Sequence, residues 1–180
     1  MTGKRQSNMY CLTLCAVLTA LSMVLSLIKI FHMPFGGSIT LFSMLACTLT
    51  GYYCGVKWGL ISGTALGLLN LVFGGELYYP MQIVLDYILG FGVLGLAGLF
   101  RRWKGGLQIG YLAAIVLRFC CSFISGVLFF GSFAPERMSP VVYSCAYNMF
   151  YIGGEGLLTL AVLSIPAVRS ALERLKGGYC

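Results

Sequence analysis

Three charged side chains interrupt long apolar runs of this sequence, and they are the residues best placed to do chemistry. Asp86, Arg118 and Glu155 each stand several residues inside such a run. A charge at that depth is costly unless it faces a partner or a cavity, so Arg118 is a candidate functional residue. Arg118 and Glu155 would lie at similar depth, and a buried ion pair between them is the plain structural expectation. Asp86 has no basic residue at its own depth, which favours a positively charged ligand.

Polar and aromatic residues on neighbouring runs would share the depth of Asp86. At about 1.5 Å of rise per residue, Ser122, Gly126 and Asn148 come within about 6 Å of its level. A flat cationic ring could stack on nearby aromatic side chains, although each of these taken singly is more typical of a core or an interface. These side chains are Tyr78, Tyr79, Tyr87, Phe130 and Tyr143. Together the residues predict a site for a flat cation.

Other kinds of site find little support in the sequence. His32 is the only histidine and no CxxC pair occurs among the eight cysteines, so neither a metal site nor a disulfide framework is expected. No nucleophile has a partnering base, and no glycine-rich phosphate loop occurs. We therefore expect no cofactor and no enzyme activity. A membrane-embedded lipid-modifying enzyme, and a small channel or scaffold, stay open as alternatives of other classes.

The composition is that of a membrane protein. Of the 180 residues, 59% are hydrophobic and 9% are charged, and the mean hydropathy is +0.90. Soluble domains carry about 25% charged residues. The net charge of +7 does not indicate nucleic-acid binding, because the basic residues stand at the ends of apolar runs rather than on one polar face.

The apolar runs predict an all-α integral membrane protein with six transmembrane helices in one bundle. Prolines fall at or near the ends of the runs, as expected for a residue that cannot continue a helix. We expect residues 1–180 to form a single domain with short tails at about 1–9 and 169–180. The six runs are approximately residues 10–28, 39–54, 58–73, 79–100, 109–130 and 141–167.

The distribution of Lys and Arg predicts the orientation. With the N-terminus inside, nine of these residues fall on the cytoplasmic side, and Lys29 and Arg137 alone fall outside. This asymmetry is the positive-inside pattern, and it requires an even number of spans. We expect both termini in the cytoplasm and the protein in the bacterial plasma membrane.

Small residues recur four apart in two of the runs. Gly59, Gly63 and Gly67 would form a smooth ridge that lets another helix approach closely, and a packing seam is the expected role. Ala16 and Ala20 form a smaller face of the same kind in the first run.

Longer stretches carry a resemblance to a known family. GSITLFSML (Gly37–Leu45), GVKWGL (Gly55–Leu60), LDYILGFGVLGLAGLFR (Leu85–Arg101) and SFISGVLFFGSFAPERMSPVVYSCAYN (Ser122–Asn148) resemble the thiamine-specific S components of energy-coupling factor (ECF) transporters. These are substrate-binding membrane subunits. The resemblance implies a six-helix subunit that captures extracellular thiamine and docks on a transmembrane coupling subunit, which carries two ABC-type ATPases.

The family's binding residues can be carried over by position. Asp86 would supply the countercharge for the thiazolium, with Tyr87 and Phe130 as stacking surfaces. Arg118 would order the floor of the site or meet the hydroxyl end of the ligand, and the hydroxyl and amide side chains would make the polar contacts. The full implied set is Asp86, Tyr87, Arg118, Ser122, Gly126, Phe130, Tyr143 and Asn148.

The sequence departs from the family pattern at two positions of the site. Ser122 stands where the family commonly has a histidine, and Phe130 stands where an indole often stacks on the ligand. A thiamine precursor or a related cationic heterocycle is therefore an alternative ligand. The family's coupling face on the first helix, made of small residues four apart, falls on Ala16 and Ala20.

Overall fold

Helices dominate the computed structural model of the protein, which describes residues 2–33, 37–74, 78–130, 135 and 138–177. A short antiparallel hairpin separates the first two helices. The helices of this part of the chain are α1 (Thr2–Leu27), α2 (Ser43–Cys54), α3 (Val56–Val72), α4 (Pro80–Phe100), α5 (Gly106–Phe129), α6 (Pro140–Leu163) and α7 (Pro166–Gly177). The strands are β1 (Lys29–His32) and β2 (Ser38–Thr40).

Several of these helices have the length and composition of membrane spans. Ser7–Leu27, α4 and α5 are each long and apolar enough to cross a bilayer, and α6 joins them if it is taken together with α7 beyond a bend of 87°. Apolar side chains on the outer surface of α1 are exposed, among them Leu12 and Val24. The fold is therefore that of a helical membrane protein. The helix α3 is apolar but has only 17 residues.

The hairpin is a feature that the expected all-α fold lacks. The second run was expected to be one span over residues 39–54, but Ser38–Thr40 pairs with β1, in the register Lys29 with Thr40 and His32 with Ser38. Ile39 and Thr40 are β-branched and suit a strand. The backbone then turns through Phe42, whose φ of 59° lies in the left-handed region and does not continue a helix. As a result α2 has only 12 residues, about 18 Å of helix.

The predicted tails are helical as far as the structure describes them. Residues 2–9 extend α1, and residues 169–177 belong to α7.

Two helices depart from α geometry. In α4, Ile83–Leu89 is a π-helical segment and Val93–Phe100 has the tighter 3₁₀ geometry. In α6, Met149–Gly153 is also π-helical. π-Helical segments are rare overall, and those that occur are often found at functional sites. The π-helical segment of α4 contains Asp86.

The glycine ridge packs α3 against α4, which confirms the predicted seam. A Cβ on Gly59 would lie 2.7 Å from the Cα of Gly95, and one on Gly67 would overlap the carbonyl oxygen of Tyr87. Gly63 faces the Phe91 carbonyl in the same way. Only glycine allows this backbone contact. The seam therefore fixes the backbone of α4 next to Asp86.

We predict that Gly67→Ala lowers the stability of the protein by about 1–3 kcal/mol, because the added methyl group pushes α4 away. The melting temperature in detergent, followed by size exclusion after heating, should drop by several degrees. Ala65→Leu is the control, since Ala65 is exposed on the same helix. Equal melting temperatures for Gly67→Ala and the unmodified protein would contradict the seam.

Candidate functional site

A cavity of about 180 Å³ lies between the hairpin and helices α3 to α6. It is lined by polar and aromatic side chains from elements far apart in the sequence. All eight residues predicted to bind the ligand are in its wall, namely Asp86, Tyr87, Arg118, Ser122, Gly126, Phe130, Tyr143 and Asn148.

Asp86 brings a carboxylate to this wall. Ser125 Oγ donates a hydrogen bond of 2.6 Å to Asp86 Oδ2, and the side chains of Gln82 and Ser122 lie beside the same carboxylate. Among the described residues, no Lys or Arg nitrogen lies within 4.0 Å of it. The carboxylate is thus held by neutral donors, and a cation in the cavity could take the place of an ion-pair partner.

Arg118 reaches the cavity from the middle of α5. Its guanidinium carbon lies 3.8 Å from the centroid of the Phe91 ring, a cation–π contact. Its Nη1 donates to the Gly90 carbonyl at 3.4 Å, which is a long hydrogen bond. The Nε atom is buried and has no partner in the described part of the chain. Arg118 therefore lines the cavity with donor capacity that the described residues do not use in full.

The prediction of an ion pair between Arg118 and Glu155 is wrong. Glu155 is 1% exposed, and its carboxylate accepts hydrogen bonds from the backbone N–H groups of Thr40 and Met44, both at 3.0 Å. The hydroxyls of Thr40 and Ser43 donate to it as well. Met44 lies in the first turn of α2, where N–H groups lack partners within the helix and the dipole is positive. The end of α2 thus replaces the cation.

Asn148 and Gly126 join α6 to α5 beside the cavity. Asn148 is buried, and its Nδ2 donates to the carbonyl oxygens of Ser144 at 2.9 Å and Ser122 at 3.3 Å. A Cβ on Gly126 would collide with Ser144 Oγ and lie 3.3 Å from Asn148 Nδ2. Gly126 therefore lets the two helices approach.

Aromatic rings that line the cavity pack against neighbouring rings, among them Tyr87, Phe91, Phe130, Tyr143 and Tyr147. The rings of Tyr87 and Phe91 stack with centroids 6.5 Å apart. Phe130 and Tyr78 meet edge to face at 5.6 Å, and Tyr143 packs against Tyr147 at 6.0 Å. Such ring faces suit a flat or cationic ligand.

Tyr147 also joins the hairpin to α6. The backbone N–H of Gly37 donates to its hydroxyl at 2.9 Å, at the start of the segment that forms β2. A Cβ on Gly37 would lie 2.6 Å from that hydroxyl. Tyr147 therefore fixes one edge of the cavity.

Sequence reasoning missed several of these residues. Ser125 follows Arg118 and Ser122 at the helical spacing i, i+4, i+7, so this periodicity could have placed it on the cavity face of α5. Tyr147 follows Tyr143 at the spacing i, i+4 and could have been found in the same way. Thr40 and Ser43 gave no such signal, because they lie in or beside the hairpin.

The residues expected to form the coupling face lie elsewhere. Ala16 and Ala20 are both exposed on α1, and neither lines the cavity. Their role stays a prediction.

Fold and cavity together define a helical membrane protein that encloses a polar, ring-lined chamber around an aspartate. The family model for the thiamine transporter protein (Thia_YuaJ) family matches residues 12–173. The chain therefore belongs to the thiamine transporter protein family, as its motifs predict.

Individual relatives agree with this assignment. The thiamine transporter ThiT of Bacillus subtilis (strain 168) is 32% identical, with 83% of this chain and 86% of that protein covered. ThiT of Lacticaseibacillus paracasei is 31% identical over 64% of this chain and 60% of that protein. The structure of ThiT from Listeria monocytogenes superposes with a TM-score of 0.75 and 22% identity, covering 89% of this chain and 97% of the other, and so shares the fold.

We predict that Glu155→Gln destabilises the protein by about 1–3 kcal/mol, because an amide NH₂ would face N–H donors of α2 and β2. Arg118→Met should destabilise it less, since the bond that Arg118 makes to Gly90 is long. Thermal unfolding in detergent compares the two variants. Equal, large losses of about 3–5 kcal/mol would instead indicate the buried ion pair.

Proposed function

We propose that this chain captures thiamine from outside the cell and delivers it for uptake as the S component of an ATP-driven ECF transporter. The observation that carries the proposal is the Asp86 carboxylate, which lies in a ring-lined cavity with no cation within 4.0 Å among the described residues. Membership of the thiamine transporter family supports the choice of ligand.

The chemistry of thiamine suits this cavity. Thiamine has a permanently cationic thiazolium, a flat aminopyrimidine and a hydroxyethyl arm. Asp86 supplies the countercharge, and the rings of Tyr87 and Phe130 stack on the ligand. The polar contacts come from Ser122, Tyr143 and Asn148.

Arg118 completes the binding set. Arg118 lines the cavity, and its Nη1 makes only a long hydrogen bond to the Gly90 carbonyl, so a ligand oxygen could accept from the guanidinium. We therefore assign Arg118 to the hydroxyl end of the ligand.

We propose a single domain with six spans, α1 to α6, and both termini in the cytoplasm. The excess of Lys and Arg on one side supports this orientation. The short α2 needs its neighbours, since about 18 Å of helix is less than the hydrocarbon thickness of about 30 Å. The hairpin, whose strand β2 precedes α2, extends this part of the chain toward the outer surface.

Energy for transport would come from partner subunits. We propose that Ala16 and Ala20, exposed in the apolar surface of α1, contact the transmembrane coupling subunit, which carries two ABC-type ATPases. Small residues let a partner helix approach closely. The sequence has no phosphate-binding loop of its own.

A thiamine precursor or related cationic heterocycle is the second candidate ligand. Ser122 is shorter than the histidine common in the family, and it lies 5% exposed beside Asp86. A competition titration with thiamine and its isolated aminopyrimidine and thiazolium halves would rank the ligands.

We predict that Asp86→Asn weakens thiamine binding by about 10- to 100-fold, because the thiazolium loses its countercharge. Isothermal titration calorimetry on the purified protein measures this. Glu173→Gln is the charge-matched control, since Glu173 lies on α7 and pairs with Arg169 there. Unchanged affinity in Asp86→Asn, or no heat at micromolar thiamine with the unmodified protein, would refute the proposal.

We predict that Ala16→Leu or Ala20→Leu prevents co-purification with the coupling subunit and its ATPases, because the larger side chain holds the partner helix away. Thiamine binding should stay unchanged in both variants. Ala161→Leu makes the same change at an exposed position of α6 and should leave assembly intact. Loss of thiamine binding in the α1 variants would count against a coupling face there.

A further inference from the structure

The helix α7 turns sharply away from the last span. It follows α6 at an angle of 87°. With 24 residues, α6 is about 36 Å long, which is enough to cross the bilayer. On the topology proposed above, α7 then lies along the cytoplasmic surface of the membrane. Ile165, just before α7, and Leu175, near its C-terminal end, are both exposed, which is typical of a helix that rests in the lipid interface.

Contacts with α2 and with the turn between α4 and α5 hold α7 in this position. The hydroxyl of Tyr53 donates to the Leu172 carbonyl at 2.9 Å. The ammonium of Lys176 lies 4.5 Å from the centroid of the Tyr52 ring and donates to the Arg101 carbonyl. The C-terminal turn of α7 is therefore fixed beside the turn between α4 and α5.

This arrangement gathers basic residues from two parts of the chain, which we call the basic platform. Its members are Arg101, Arg102, Lys104, Arg174 and Lys176.

Little negative charge offsets the platform. The acidic residue of α7, Glu173, already pairs with Arg169 at 3.0 Å. Within the described ranges, no carboxylate lies within 4.0 Å of Arg102, Lys104 or Arg174, and all three are exposed. The platform is an excess of cations at one end of the bundle, where α7 meets the turn between α4 and α5.

Apolar side chains stand among these cations. Trp103 is 61% exposed between Arg102 and Lys104, and Leu99 is 62% exposed one turn earlier. Tryptophan is enriched where headgroups meet acyl chains. A soluble anion would need only the charges, whereas a lipid uses both the charges and the apolar surface beside them.

We propose that the basic platform binds the phosphodiester headgroups of anionic phospholipids in the cytoplasmic leaflet, with Trp103 and Leu175 in the acyl-chain boundary. The inference rests on the proposed topology, and it concerns a surface at the opposite end of the bundle from Lys29 and the hairpin. Lipid binding there would hold α7 and the α4–α5 turn in the interface.

Thermal melting tests the proposal. The thiamine-free protein in an uncharged detergent is titrated with dioctanoyl-phosphatidylglycerol or dioctanoyl-phosphatidylcholine. We expect the anionic lipid alone to raise the melting temperature. Its half-saturating concentration should increase about fivefold for each charge removed, in Lys104→Gln and in Arg102→Gln/Lys104→Gln. Lys29→Gln removes one charge from β1 and should leave the lipid response unchanged. Arg174→Gln serves as a second test if the double variant does not fold.

The outcomes separate the possible sources of binding. Equal stabilisation by phosphatidylcholine, or by inorganic phosphate, would overturn the proposal, as would an unchanged response in the platform variants. A platform variant that no longer co-purifies with the coupling subunit but keeps its melting response to the anionic lipid would assign the surface to a protein partner instead. Thiamine binding should stay intact in the platform variants, so failure of the lipid proposal is distinguishable from failure of the thiamine proposal.

Discussion

The buried N-terminus of α2 sets the interior of this protein, and the Glu155 carboxylate is what satisfies it. A helix end without hydrogen-bond partners is unfavourable inside a bundle, where water does not replace them. Glu155 accepts from the backbone of Thr40 and Met44 at once, so it joins α6 to both β2 and α2. The helix can therefore end inside the bundle, where Ser43 and Met44 of its first turn line the cavity.

This interaction also explains the surroundings of Arg118. Because backbone amides of Thr40 and Met44 hold Glu155, the guanidinium of Arg118 rests on the Phe91 ring instead, and its buried Nε has no partner in the described part of the chain. On the opposite wall, the seam of glycines brings α3 against the backbone of α4 at Tyr87. The π-helical segment that contains Asp86 thus contacts the backbone of α3 at Gly67, and its Asp86 side chain is held by Ser125. Two carboxylates in one cavity thus have different partners.

Much of this arrangement was predictable from residue types and depth. Apolar runs predict the helices, and a fixed rise per residue predicts that Asp86, Ser122 and Asn148 share a level. Depth does not give the direction in which a side chain points around its helix, which is why Arg118 and Glu155 were expected to pair. A backbone amide as a partner leaves no mark in the sequence. The hairpin was missed because Ile39 and Thr40 of β2 continue the second apolar run, and the contacts of Thr40 and Tyr147 were missed with it.

Whether the chamber around Asp86 holds thiamine is tested most directly by the identity of the small molecule that the purified protein retains. The protein, produced in cells grown with thiamine and purified in detergent, is denatured, and the released small molecules are identified and quantified by mass spectrometry. We expect thiamine, at close to one molecule per chain, and its loss when Asp86 is replaced. Recovery of a different heterocycle at that ratio, or of no small molecule at all, would contradict the assignment.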